Sequence, residues 1–100
     1  MSTRIAVPDA TLKQWCHHHA VRRLAFFGSV LRDDFSAQSD VDVLVEFDPG
    51  SRVGLIALAG MEIGLSRILG RRAEIHTVKG LNPLYRDEVL SSAEVHYEHA

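Results

Sequence analysis

Residues 40–47, DVDVLVEF, restrict the fold of this chain more than any other stretch. Val41, Val43, Val45 and Phe47 alternate with Asp40, Asp42, Leu44 and Glu46, the period-two pattern of a strand with one buried face. The other face raises a question. Residues i and i+2 of a strand point the same way, so the Asp40 and Asp42 carboxylates stand about 6 to 7 Å apart. At an effective dielectric of about 20, two unit charges at that separation repel by roughly 2 to 3 kcal/mol. That is a large share of the ~5 to 15 kcal/mol that stabilises a whole domain. A divalent cation between them reverses the sign, and carboxylate oxygens are the ligands Mg²⁺ and Mn²⁺ prefer. The plain alternative is a pair of exposed aspartates at a strand end, screened by water.

The flanking sequence supplies partners for that strand. Residues 9–20 read as a helix capped by Asp9 after Pro8, with Leu12, Trp15 and Cys16 on one face. VRRLAFF (21–27) reads as a strand closed by Gly28, followed by a turn or short helix over 29–34 and a loop. After the DPGS turn (48–51), residues 53–69 place Leu55, Leu58, Met61 or Glu62, Leu65, Ile68 and Leu69 at helical spacing. Gly54, Gly60 and Gly64 weaken that helix and Gly70 stops it. RRAEIHTV (71–78) is a third strand, with Ala73, Ile75 and Thr77 opposite Glu74, His76 and Val78. A last helix spans 82–92, with Asn82 capping and Pro83 in its first turn, and AEVHYE adds an edge strand. The expected class is α+β (α/β-like): a small mixed β-sheet flanked by helices, in one domain over residues 1–100.

A 46% hydrophobic, 24% charged composition is that of a soluble globular protein, and a net charge of −2 argues against coating nucleic acid; no direct nucleic-acid binding is expected. Cys16 is the only cysteine, which excludes an intrachain disulfide and fits a reducing cytoplasm. The N-terminus lacks the apolar core of a signal peptide, and no stretch reaches the roughly 18 apolar residues of a membrane span. A cytoplasmic protein without membrane contact is expected.

Several features have plain readings. His17, His18 and His19 diverge by about 100° per residue on a helix, so they read as a polar helix end rather than a metal site. His76 reads as a packed strand residue on Glu74's face, and Trp15 as core. Arg22, Arg23, Arg71 and Arg72 read as solvated strand ends, with weak contact to nucleotide or an acidic partner as the second reading. The apolar faces of the first and last helices are generous for so small a core, which fits a partner surface.

Gly28 and Ser29 bear on the two aspartates. A glycine lets a phosphate approach the backbone, and free N–H groups with a serine hydroxyl bind its oxygens. A Gly-Ser step alone is equally an ordinary turn. Gly28 and Ser29, ten intervening residues, then Asp40 and Asp42, together suit a nucleoside triphosphate held with its metal between cradle and carboxylates.

The pattern G-S-x(10)-D-x-D within FGSVLRDDFSAQSDVDVLVEF resembles the signature of the polymerase-β-type nucleotidyltransferase superfamily. From Val21 to Tyr97, including LGRRAEIHTV and VHYE, the chain resembles its smallest members, the MNT (MntA-like) antitoxin domains encoded beside HEPN toxins. The resemblance implies a minimal nucleotidyltransferase fold in which Gly28, Ser29 and Arg32 bind nucleotide. It implies that Asp40, Asp42 and Glu74 are catalytic and hold Mg²⁺, or Mn²⁺ in its place. Arg32 suits a phosphate and a surface pair with Asp34 equally. Glu74 departs from the family's usual aspartate; its extra methylene can move the oxygens by more than about 1 Å, which can cost around a hundredfold in rate. Its plain reading is an exposed strand residue. The implied activity is two-metal transfer of AMP from ATP to a hydroxyl, a tyrosine's, of a partner HEPN toxin in a hetero-oligomer. The alternatives are a catalytically weakened antitoxin that neutralises by binding alone, or transfer to a small molecule or an RNA end.

Overall fold

The computed structural model describes residues 5–32, 35, 36 and 38–99. In chain order they form α1 (Asp9–His18), β1 (Val21–Phe27), a short 3₁₀ helix (Gly28–Leu31), β2 (Val41–Phe47), α2 (Leu55–Leu69), β3 (Ala73–His76), α3 (Arg86–Ser92) and β4 (Glu94–Glu98). The sheet order is β3-β2-β1-β4. β1 runs antiparallel to β2 and β4, whereas β2 and β3 are parallel. A parallel pair cannot be joined by a hairpin, and α2 is the crossover that joins this one. The mixed sheet with helices expected from the sequence is the fold the chain adopts.

Several element ends differ from expectation by a residue or more: α1 ends at His18, β2 begins at Val41, α2 at Leu55 and β3 at Ala73, and three further differences have a clear cause. Pro8, not Asp9, holds the N-cap position of α1, and no side chain caps it; Asp9 is the first helical residue, where its charge still favours the helix dipole. β3 stops at His76 because Thr77 opens a turn, its carbonyl accepting from the N–H groups of Gly80 and Leu81. α3 begins at Arg86 instead of 82. Asn82 Oδ1 accepts from the Leu84 N–H at 2.9 Å, and that local side-chain bond competes with helix formation.

The main core lies on one sheet face. Leu12, Trp15 and Cys16 of α1 and Met61, Leu65 and Leu69 of α2 pack on Leu24 and Phe26 of β1, Val41, Val43 and Val45 of β2, and Ala73 and Ile75 of β3. Strict alternation from Leu24 would send Val21 to the opposite face. The register instead steps from Val21↔Phe47 to Arg23↔Glu46, so a bulge at Arg22 returns Val21 to the core. The bulge also brings both arginines to one carboxylate: Arg22 lies 3.0 Å and Arg23 3.6 Å from Glu46. Both faces of β2 carry apolar side chains, because Leu44 joins Phe27, Leu81 and Val89 in a smaller cluster under α3.

β3 is an edge strand, and α2 covers its outer donors. Ser66 Oγ accepts from the Ala73 N–H at 2.9 Å and Glu62 Oε2 from the Ile75 N–H at 2.7 Å, which removes the template for edge-to-edge pairing. Met61 and Glu62 therefore both face inward, one to the core and one to the strand edge.

Among the described residues no helix is long and apolar enough to cross a membrane. Cys16 is fully buried between α1 and the sheet, and desolvation pushes its thiol up to about 12. The native protein is expected to resist alkylation at pH 8 and to react within the ordinary time of a free thiol once denatured, as intact-mass kinetics with iodoacetamide will read. Because the folded state holds this proton more tightly, its contribution to stability is complete below the unfolded thiol value near ~8.5 and is lost as pH rises towards about 12.

Candidate metal and nucleotide site

The site is built on the sheet face opposite α1 and α2. Alternation along β2 turns Asp42 to this face, and parallel pairing sets Glu74 of β3 directly beside it, with His76 beside Leu44 one pleat on. On the other flank Asp42 pairs with Phe27, the last residue of β1. The chain then turns at Gly28 into the 3₁₀ helix.

The contacts are close. His76 Nε2 lies 3.2 Å from Asp42 Oδ1 and 3.9 Å from Glu74 Oε2. One ligand atom from each of Asp42, Glu74 and His76 falls within 4.8 Å of the others, the one such group among the described residues. Gly28 has φ +78°, and a Cβ on it would stand 2.8 Å from Asp42 Oδ2. Only glycine fits there on both counts: the left-handed backbone and the carboxylate against it. Asp40 precedes β2, 3.9 Å from Arg72 Nε, and its carboxyl is close enough to that of Glu74 to raise its pKa. It stands beside the three-residue cluster rather than within it. Ser29 is half-buried next to Gly28 and Arg32 is exposed at the end of the turn, its N–H bonded to the Ser29 carbonyl at 2.9 Å. The alternative partner of Arg32, Asp34, lies outside the described residues.

The electrostatics follow from this crowding. The bond to Asp42 raises the His76 pKa; burial opposes it, and the charges of Asp42, Glu74 and Glu62 add to it. Partial burial raises the Glu74 carboxyl, helped by the neighbouring Asp40 carboxyl and by the charge of Asp42, while His76 pulls it back. Two carboxylates and an imidazole within 4.8 Å are a donor set that fits a divalent ion, and the side chains of Asp42, His76 and Glu74 are 30–40% exposed, so an ion can reach them.

The sequence reading of His76 as a packed strand residue misses this contact. The available signal was its place two residues beyond Glu74 on the same face. Packing does contribute, since the Phe27 ring lies edge-on to the imidazole with centroids 5.2 Å apart. His17 and His18 end α1, while His19 caps it and tilts against the Trp15 ring. Of the basic pairs, Arg22 and Arg23 meet Glu46, Arg71 lies over the Phe35 ring, and Arg72 reaches Asp40 at the border of the site.

Residues 9–96 match the family model described as Nucleotidyltransferase domain. The Methanocaldococcus jannaschii protein named "Putative protein adenylyltransferase MJ0435" is 35% identical over 75 residues, which cover 75% of this chain and 78% of that one. A solved structure described as "putative minimal nucleotidyltransferase" superposes with a TM-score of 0.69 at 34% identity, over 85% of each chain. The toxin-antitoxin MntA-HepT shares the fold at 12% identity, with a TM-score of 0.66 over 91% of this chain and 70% of that chain.

Proposed function

The chain belongs to the nucleotidyltransferase domain family, and we propose that it transfers AMP from ATP to a hydroxyl group of a partner protein. The observation that carries this reading is the approach of Gly28 to Asp42, with Glu74 in the same ligand cluster. A backbone stripped of its Cβ and pressed against a carboxylate suits a phosphate bound beside a metal ligand.

In this reading Gly28 and Ser29 bind phosphate oxygens through N–H groups and the Ser29 hydroxyl, and Arg32 neutralises phosphate charge. Asp40, Asp42 and Glu74 hold the divalent ions, Mg²⁺ or Mn²⁺. When bound, those ions supply Lewis acidity to the reacting phosphate and its leaving group. The acceptor oxygen forms a bond to the α-phosphorus, the bond from that phosphorus to the bridging oxygen breaks, and pyrophosphate departs. The hydroxyl proton passes to a carboxylate of the cluster. The partner proposed is a HEPN toxin modified on a tyrosine within a hetero-oligomer; the likeness of fold to MntA and the adenylyltransferase name of the archaeal relative support it.

Intact-mass analysis of a HEPN protein, should one be encoded beside this gene, after incubation with this protein, Mg²⁺ and each of the four nucleoside triphosphates, tests the proposal. A gain of one adenylate with ATP is expected; no gain with any nucleotide sinks it.

A second reading, neutralisation by binding alone, is favoured by Glu74, which stands where the family usually has aspartate and whose carboxyl pKa is raised, first by burial and then by Asp40 and Asp42. Its test is the Asp40→Asn/Asp42→Asn protein. Neutralisation of the toxin without modification supports occlusion, and failure to neutralise counts against it.

A further inference from the structure

We infer that His76 is a metal ligand, making the proposed carboxylate site a mixed nitrogen–oxygen site that favours Mn²⁺ over Mg²⁺. The inference deepens the nucleotidyltransferase reading and takes from it only the presence of a divalent ion. Ligands about 2.2 Å from a common ion lie about 3.1 Å apart when adjacent and about 4.4 Å apart when opposite. The His76 distances to Asp42 and Glu74, 3.2 and 3.9 Å, fall between those limits, and with all three ligand atoms within 4.8 Å of one another a small side-chain adjustment lets one ion reach them. The imidazole is also held in place: β3 fixes its backbone beside Leu44, and the edge-on Phe27 ring limits its rotation. Its Nε2 faces the carboxylates, the nitrogen a metal would use.

Donor chemistry then decides the ion. Mg²⁺ takes oxygen ligands, demands near-ideal octahedral geometry and gives up its waters reluctantly. Imidazole suits the first-row transition ions, with affinity rising from Mn²⁺ through the later metals. A neutral nitrogen donor adds a bond without adding charge, so it strengthens the site for ions that accept nitrogen and leaves Mg²⁺ with what the oxygens provide.

The test uses the purified full chain with MnCl₂ or MgCl₂, with and without a non-hydrolysable ATP analogue. Pulsed EPR of the Mn²⁺-loaded protein is expected to show nitrogen coupling from one imidazole, and calorimetry to show Mn²⁺ binding at least about tenfold tighter than Mg²⁺. His76→Val, a strand-forming substitution whose folding circular dichroism verifies, loses the nitrogen coupling and about tenfold of Mn²⁺ affinity, while Mg²⁺ affinity stays within about threefold. Absence of nitrogen coupling in the wild type, an unchanged Mn²⁺-to-Mg²⁺ ratio in His76→Val, or no Mn²⁺ binding in either nucleotide condition overturns the inference. The adenylate-transfer assay stands apart: nitrogen-coupled Mn²⁺ without transfer removes the enzyme reading and keeps the ligand. Transfer without nitrogen coupling does the reverse.

Discussion

Asp42→Asn is expected to abolish the proposed adenylate transfer while the protein still folds. Asparagine keeps the shape of the side chain and removes the charge that the proposed site depends on. Asp42 stands at the centre of the site, with Gly28 on one side and His76 at 3.2 Å and Glu74 on the other. Metal-borne charge stabilisation is worth several kcal/mol in the transition state, so a loss of about 10³-fold or more in rate is expected. Stability should change by no more than ~1 kcal/mol, because asparagine Oδ1 can still accept from His76, if more weakly, while repulsion between carboxylates is relieved. The pH dependence carries a second signature. His76, raised mainly by Asp42, contributes stability that is complete below its unfolded value near ~6.5 and is lost as pH rises through its folded value. In the metal-free Asp42→Asn protein that slope flattens, as urea melts at several pH values will read. Undiminished transfer by this variant removes Asp42 from the chemistry.

Gly28→Ala is expected to damage both the fold and the proposed site. At φ +78° an alanine pays roughly 1 to 2 kcal/mol for the left-handed backbone, and its Cβ would sit 2.8 Å from Asp42 Oδ2. The contact is relieved only if the carboxylate or the turn moves. A shift of about 1 Å at a reacting centre can cost around a hundredfold in rate, which is the loss expected in adenylate transfer. In a domain of this size ~1 kcal/mol corresponds to about 4 to 8 °C in Tm, so a fall of that order should accompany it. Ser29→Ala is the control, since it removes a hydroxyl without touching the backbone; a larger loss there than in Gly28→Ala would mean that the hydroxyl, not the close approach, matters at this turn.

Much of this architecture is legible in local sequence. The alternation of DVDVLVEF, the glycine after VRRLAFF and the spacing of Leu65 and Leu69 each rest on a period that one element imposes by itself. Element ends were read less well, because they depend on competing hydrogen bonds: the Asn82 side chain delays α3, and the Thr77 turn cuts β3 short. The bulge at Arg22 was not legible at all. It exists because β1 must match β2 while keeping Val21 in the core, a demand set by the neighbouring strand.

The sequence by itself determined that Asp40 and Asp42 share a strand face or its continuation, and that a glycine-serine turn precedes them by ten residues. Both follow from covalent spacing and strand geometry. Only the tertiary structure decided which side chains meet. Parallel pairing of β2 with β3 is a long-range choice, made by α2 burying its apolar face and covering the β3 edge through Glu62 and Ser66. That register sets Glu74 beside Asp42, swings His76 onto the same carboxylate, and leaves Asp40 at the border with Arg72. Spacing along one chain cannot specify a contact across thirty residues; the packing of the crossover helix does.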